Sequence, residues 1–130
     1  YSCAIGQDQN LYCWGYFNNV KLTGEAAGEH TSAKRLVLNE PSPIVEYQNA
    51  VNQMCIKLQD NKVKCWGDNV HGQLGSETLG WLAYNENSYL KESPSGDFVN
   101  VKDFALASDA SSFNNLYMIT QNMIDNHEFY

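Results

Sequence analysis

The chain is short of positive charge. Eight Lys and Arg stand against fifteen Asp and Glu, a net charge of −7. The deficit is local. Residues 1–65 carry six side chains of each sign, whereas residues 66–130 carry only Lys91 and Lys102 against nine acids. A surface of that sign repels a phosphate backbone, so no nucleic-acid partner is expected. It suits a basic partner, or simply keeps the protein soluble. No apolar run approaches the roughly 20 residues of a membrane-spanning helix. None of the fifteen asparagines stands in an Asn-x-Ser/Thr sequon, so N-glycosylation is not expected. The chain opens Tyr1-Ser2-Cys3, with no signal peptide in view.

Catalytic signatures are missing as well. There is no nucleophile elbow, no phosphate-cradling glycine loop and no His-Glu-x-x-His. Of the three histidines, His30 and His127 fall in loop or tail contexts. Asp68, His71 and Ser76 lie within nine residues of one another. That crowding reads as a solvated turn rather than a catalytic triad. Neither enzyme activity nor a cofactor is expected.

What the chain does have is a repeat. Cys55-Ile-Lys-Leu-Gln-Asp-Asn-Lys-Val-Lys-Cys65-Trp66-Gly67 is a worn copy of Cys3-Ala-Ile-Gly-Gln-Asp-Gln-Asn-Leu-Tyr-Cys13-Trp14-Gly15, at an offset of 52 residues. Self-similarity at about this period marks a modular β or solenoid architecture. Each copy reads as a β-hairpin. A short strand leads into a polar turn (Gln7 to Asn10; Gln59 to Lys62) of residue types that tolerate tight turns. A second strand returns and ends at a glycine. Folded so, Cys3 faces Cys13 and Cys55 faces Cys65, and directly opposed positions lie close enough to bridge after a small adjustment. A third copy is more degraded. Val101-Lys-Asp-Phe-Ala-Leu-Ala-Ser-Asp aligns with the strand before Asp60, and Leu116-Tyr-Met-Ile119 aligns with Val63 to Trp66. It has lost both cysteines together, Ala105 or its neighbour and Met118 standing in their places, as a within-hairpin bridge requires. Free buried thiols and a metal site are the competing readings. Zinc sites prefer ligands two to four residues apart within a pair, and here the spacing is ten. Two disulfides and no metal are the expectation.

The run Trp66-Gly67-Asp68-Asn69 with Gly72-Gln73-Leu74-Gly75 resembles the repeat of the regulator-of-chromosome-condensation family. The resemblance covers residues 1–24 and 44–76, and faintly 96–119. It implies that each repeat is one four-stranded blade of a β-propeller, a ring usually of seven blades. The expected fold is therefore all-β, with propeller-type blades built from antiparallel hairpins in a single repeat domain over 1–130. Repeat one spans about 1–43, repeat two about 44–93 and a degenerate repeat three about 94–130. Two and a half repeats do not close a ring, so three readings stand: a piece of a longer propeller, a ring assembled from several copies, or an open stack capped by its own loops. Repeat one departs from the pattern, Val20-Lys-Leu-Thr23 standing where Gly72-Gln-Leu-Gly75 does.

Trp14 and Trp66 hold equivalent places and are expected in the inter-blade core. Gly15, Gly67, Gly72 and Gly75 read as backbone-geometry residues. Between the first two repeats, Gly28-Glu-His-Thr-Ser reads as loop and Ala33 to Leu38 as a strand, closed by Glu40-Pro-Ser-Pro43. Between repeats two and three, Trp81, Tyr84 and Tyr89 stand among Asn, Ser and Glu, the pattern of a recognition loop. Packing of Trp81 and Leu82 against a blade is the alternative. The tail 120–130 reads either as a strand or as a docking arm.

Members of the resembling family serve as exchange-factor scaffolds, interaction platforms and secreted enzyme inhibitors. The expected function is thus an extracellular protein-binding module, secreted or on the cell surface, with Trp81, Tyr84 and Tyr89 at the contact. Two alternatives remain open: a small secreted signal of a pheromone-like kind from a single-celled eukaryote, and a fibre or coat subunit.

Overall fold

The computed structural model describes residues 1–40, 42–72, 74, 79–84, 91–93, 96–97, 101–108 and 114–120. Its framework is antiparallel throughout. The first sheet joins β1 (Ser2–Ile5), β2 (Leu11–Phe17) and β3 (Gly28–Arg35), in that order. The second joins β4 (Ile44–Ala50), β5 (Gln53–Leu58), β6 (Val63–Asp68) and β7 (Trp81–Leu82). A short ladder of β8 (Lys91–Ser93) and β9 (Gly96–Asp97) follows. The hairpin of β10 (Val101–Ser108) and β11 (Asn114–Thr120) comes last. The sheets are blades laid side by side, and they do not close into a ring.

Equivalent residues build equivalent turns. Gln9 and Asn61, 52 residues apart, both adopt positive φ, 63° and 66°. In the first turn the Gly6 amide donates to the Asn10 carbonyl, and in the second the Leu58 amide donates to the Lys62 carbonyl. Asp8 accepts from the Asn10 amide at 3.1 Å, and Asp60 from the Lys62 amide at 3.2 Å. A left-handed residue that follows a tight turn is a standard way to close a hairpin with native twist.

The register sets Cys3 opposite Cys13 and Cys55 opposite Cys65. Both pairs are disulfide-bonded, with Cα atoms 4.1 Å apart in each. That is the close spacing of a non-hydrogen-bonded pair. Each bridge closes a loop of sequence separation 10, which in the chain-entropy account contributes about 3 kcal/mol. With all four cysteines bridged, none is left to ligate a metal. In the third hairpin Phe104, the neighbour of Ala105, pairs with Met118, and Ala105 pairs with Tyr117.

Strand β4 stitches the blades together. Tyr1 donates from its hydroxyl to the carbonyls of Ala50 (3.1 Å) and Gln53 (2.8 Å). Tyr47 donates to the Cys3 carbonyl, and Gln48 Nε2 donates to the Phe104 carbonyl at 2.7 Å. The core is the seam between the first two blades. Cys3, Leu11, Cys13 and Phe17 from one side meet Met54, Ile56, Leu58 and Trp66 from the other, with Leu36 and Ile44. Gly67, at φ +114°, is the most crowded of the described glycines. A Cβ there would stand 2.3 Å from the Asn52 carbonyl oxygen.

Three expectations are corrected. Gly28 to Ser32 is strand, not loop. It pairs with β2 (Gly15↔His30, Phe17↔Gly28), and the His30 ring stacks on Phe17 at 4.4 Å. The strand then ends at Arg35, and residues 36–40 cross to the next blade without regular structure. Val20–Thr23 forms a one-turn helix, α1. Asn19 caps it by accepting from the Lys21 amide, and Gly24 ends it in the left-handed region at φ 81°. Trp66 is fully buried as expected, but Trp14 is 38 % exposed. Its face of blade one has no blade against it.

Candidate interaction surface

Trp66 lies in the seam between the first two blades. Its Nε1 donates to the Leu22 carbonyl at 2.8 Å, tying β6 to α1. Leu22 and Leu74 are equivalent by the 52-residue offset, and both are buried. Thus α1 fills in repeat one the place of the Leu74 loop in repeat two. That second loop is organised by buried Asn69. Its Oδ1 accepts from the Leu74 amide at 2.9 Å, and its own amide and carbonyl pair with Gly80. Asn69 stands in the most specific motif of the sequence, yet its role as a loop organiser was not read from it. A buried side-chain amide that bonds backbone groups fixes a loop as a turn motif does. Gly72, at φ 71°, donates its amide to the Asn69 carbonyl at 3.1 Å. Gly75 lies outside the described residues.

A polar knot sits beside the indole. Tyr84 meets Trp66 edge-on at 5.2 Å. Its hydroxyl donates to Glu40, and Lys64 Nζ lies 4.0 Å from both the Tyr84 ring centroid and Glu40 Oε1. Burial pulls the Lys64 ammonium below its ordinary pKa, against the opposing pull of Glu40. The direction of the shift shows that burial costs the ammonium more than Glu40 returns, the usual balance for a pair withdrawn from water.

Beside this knot a groove of about 380 Å³ opens between α1, the crossing segment and the end of β7. Val20, Leu36, Val37, Leu38, Ala83 and Tyr84 supply most of its wall. Val37 is 69 % exposed and Val20 half exposed. Their backbones are fixed by the capped helix and by the Leu36 amide, which donates to the Leu11 carbonyl at 2.8 Å. Two other concavities are more polar: one of about 240 Å³ at the hairpin turn of Asp8 and Glu40, and one of about 440 Å³ by Tyr1, Tyr16, Asn18 and Asn49.

Of the three aromatics singled out by the sequence, two are described and they differ. Trp81 is half-buried on edge strand β7, where it pairs with Asp68, and its carbonyl accepts from Lys21 Nζ at 3.0 Å. Tyr84 is committed to the core by Trp66, Glu40 and Lys64, leaving only part of it on the groove wall. Tyr89 lies outside the described residues. The groove residues Val20 and Val37 were not foreseen. Isolated valines carry no sequence signal until the fold brings them to one surface.

Residues 54–73 match the Regulator of chromosome condensation (RCC1) repeat. No curated protein matches the chain. Among solved structures, human WBSCR16 is similar with a TM-score of 0.59 at 14 % identity, covering 89 % of this chain and 30 % of that one. Yeast RCC1 (Prp20), solved with Kap60 bound, is similar with a TM-score of 0.55 at 17 % identity, covering 89 % of this chain and 29 % of that one. The chain therefore spans about a third of the length of these relatives, and shares with them the propeller-type blade stack.

Proposed function

We propose that the chain is an extracellular protein-binding repeat module without catalytic activity, and that its partner docks an apolar side chain into the groove of Val20 and Val37. The observation that carries this reading is Val37. It is a large apolar side chain, 69 % exposed, at a groove with a mixed polar and apolar lining. Exposed apolar surface around a preformed concavity is the usual anatomy of a recognition site. Trp81, on the edge strand that leads into Ala83 and Tyr84, supplies the adjoining aromatic contact. Two bridged hairpins support an oxidising compartment. The structure of yeast RCC1 with Kap60 supports protein binding as a use of this blade type.

The test is saturable binding of the labelled chain to intact cells of its source, compared among wild type, Val37→Glu and Trp81→Ala. The reading expects both variants to stay folded by circular dichroism and to lose binding at least tenfold. Folded variants that bind as wild type would refute it. So would a Trp81→Ala chain that unfolds, for that tryptophan's place at the contact.

A further inference from the structure

Lys34-Arg35 is the only place in the sequence where two Lys or Arg residues adjoin. The pair ends β3, the last strand of blade one. One edge of β3 is bonded to β2, and the other pairs with no strand among the described residues. The ladder to β2 is also interrupted. Gly28, Glu29 and His30 pair with Phe17, Tyr16 and Gly15, and Lys34 and Arg35 pair with Cys13 and Tyr12. Between these runs residues 31–33 face the single Trp14, and all three are exposed. A bulge disrupts the ladder locally, so the end of β3 opens without the half before it. Three backbone ties hold that end: the two register pairs, and the Leu36 amide on the Leu11 carbonyl at 2.8 Å. Beyond Arg35 regular structure stops. The Leu36 side chain is buried, so the opened form is a minor excursion from the resting fold.

Arg35 is exposed and Lys34 partly so. An endoprotease with acidic pockets for two successive cations holds such a pair in extended backbone, by pairing its own edge with the substrate strand. The end of β3 offers both cations, extended backbone and an edge without a strand. We propose that Arg35–Leu36 is a processing bond, hydrolysed by a secretory endoprotease that recognises paired basic residues. One water is consumed. The C–N bond breaks, the Arg35 carbonyl carbon becomes a carboxylate and the Leu36 nitrogen becomes an ammonium.

The place of the bond gives the cut its consequence. It lies between two stapled hairpins, and neither bridge, Cys3–Cys13 or Cys55–Cys65, spans it. With all four cysteines bridged inside their own hairpins, pieces 1–35 and 36–130 are left with no covalent tie. The cut also frees the segment that carries Val37. A single amide donor at Leu36 becomes an ammonium with three, and a buried position does not keep that charge without partners. Leu36 therefore leaves, and the groove loses the wall of Leu36, Val37 and Leu38. Cleavage switches off docking, a consequence that rests on the function proposed above.

The test incubates folded, non-reduced wild type, Lys34→Gln and Arg35→Gln with an endoprotease specific for paired basic residues, and reads the products by mass. Wild type should give pieces 1–35 and 36–130 that separate in urea without reductant. Each variant should be cut at least tenfold more slowly and keep its far-ultraviolet spectrum. A free peptide of residues 31–40 is the positive control, and the same substitutions in that peptide decide for a variant that does not fold. Folded wild type that stays whole while the peptide is cut, a cut at another bond, or variants cut at the wild-type rate would each overturn the site. Binding to cells of the source is read separately on intact and nicked chain. The nicked chain should bind at least tenfold less, and equal binding would overturn the switch. An intact chain that does not bind would overturn the groove reading instead, and the cleavage map still decides the site.

Discussion

Trp66 donates from Nε1 to the carbonyl oxygen of Leu22 at 2.8 Å, across the seam between the first two blades. The bond joins the second hairpin to α1, which takes in repeat one the place of the Leu74 loop. Truncation here removes a large buried ring and orphans a carbonyl. Trp66→Ala should therefore destabilise the fold by about 3–5 kcal/mol. Trp14→Ala, at the same repeat position but exposed, should cost less than about 1 kcal/mol. Urea unfolding measures both. Equal losses would contradict the burial difference.

Gly67 and Gly28 both need positive φ, 114° and 128°. Only Gly67 also faces backbone, with the Asn52 oxygen 2.3 Å from where a Cβ would stand, whereas nothing lies within 4 Å at Gly28. Gly28→Ala should cost about 1–2 kcal/mol, the strain of the left-handed region alone. Gly67→Ala should cost clearly more, because the β4–β5 turn must move. The order of the two thermal midpoints checks this.

Asp8 accepts from the Tyr12 hydroxyl at 2.6 Å and from the Asn10 amide. Chiefly the Tyr12 bond, and then those from Asn10, hold its carboxyl down at about 2, from 3.8. The same bond pushes the Tyr12 phenol up. A depressed carboxylate contributes stability above the unfolded pKa and loses it as pH falls through the folded one. The loss at this turn should therefore run from about pH 4 down to about pH 2. Carboxyl chemical shifts followed against pH should show Asp8 titrating near 2, and shifted upward toward its ordinary value in Tyr12→Phe, with the Asn10 bonds holding back the rest. An unchanged midpoint in that variant would remove Tyr12 as the cause.

The hairpins were legible because their determinants are local. Turn residues, a cysteine at each opposed position and a closing glycine all lie within thirteen consecutive residues, Cys3 to Gly15 or Cys55 to Gly67. The rest depends on neighbours distant in sequence. Gly28 to Ser32 looks polar and loop-like, and it becomes strand because β2 offers an edge and Phe17 a ring for His30. Tyr84 looks like a free recognition aromatic until Trp66, Lys64 and Glu40 are seen around it. Trp14 and Trp66 are the same letter in the same motif, and no local pattern says which of them has a blade on its far side. The groove is the least legible part, since Val20 and Val37 come from separate connections.

The account rests on a first and a second blade that are each stapled within their own hairpin, and the bridge pairing tests this most directly. Trypsin under non-reducing conditions cuts after Lys21, Arg35, Lys57, Lys62 and Lys64. The account predicts fragment 1–21 with Cys3 joined to Cys13 inside it, lighter than its dithiol by about two hydrogen masses. It predicts fragment 36–57 linked through Cys55 to the fragment that begins at Cys65. Fragment 1–21 linked to either of the latter two, or recovered with free thiols, would contradict it.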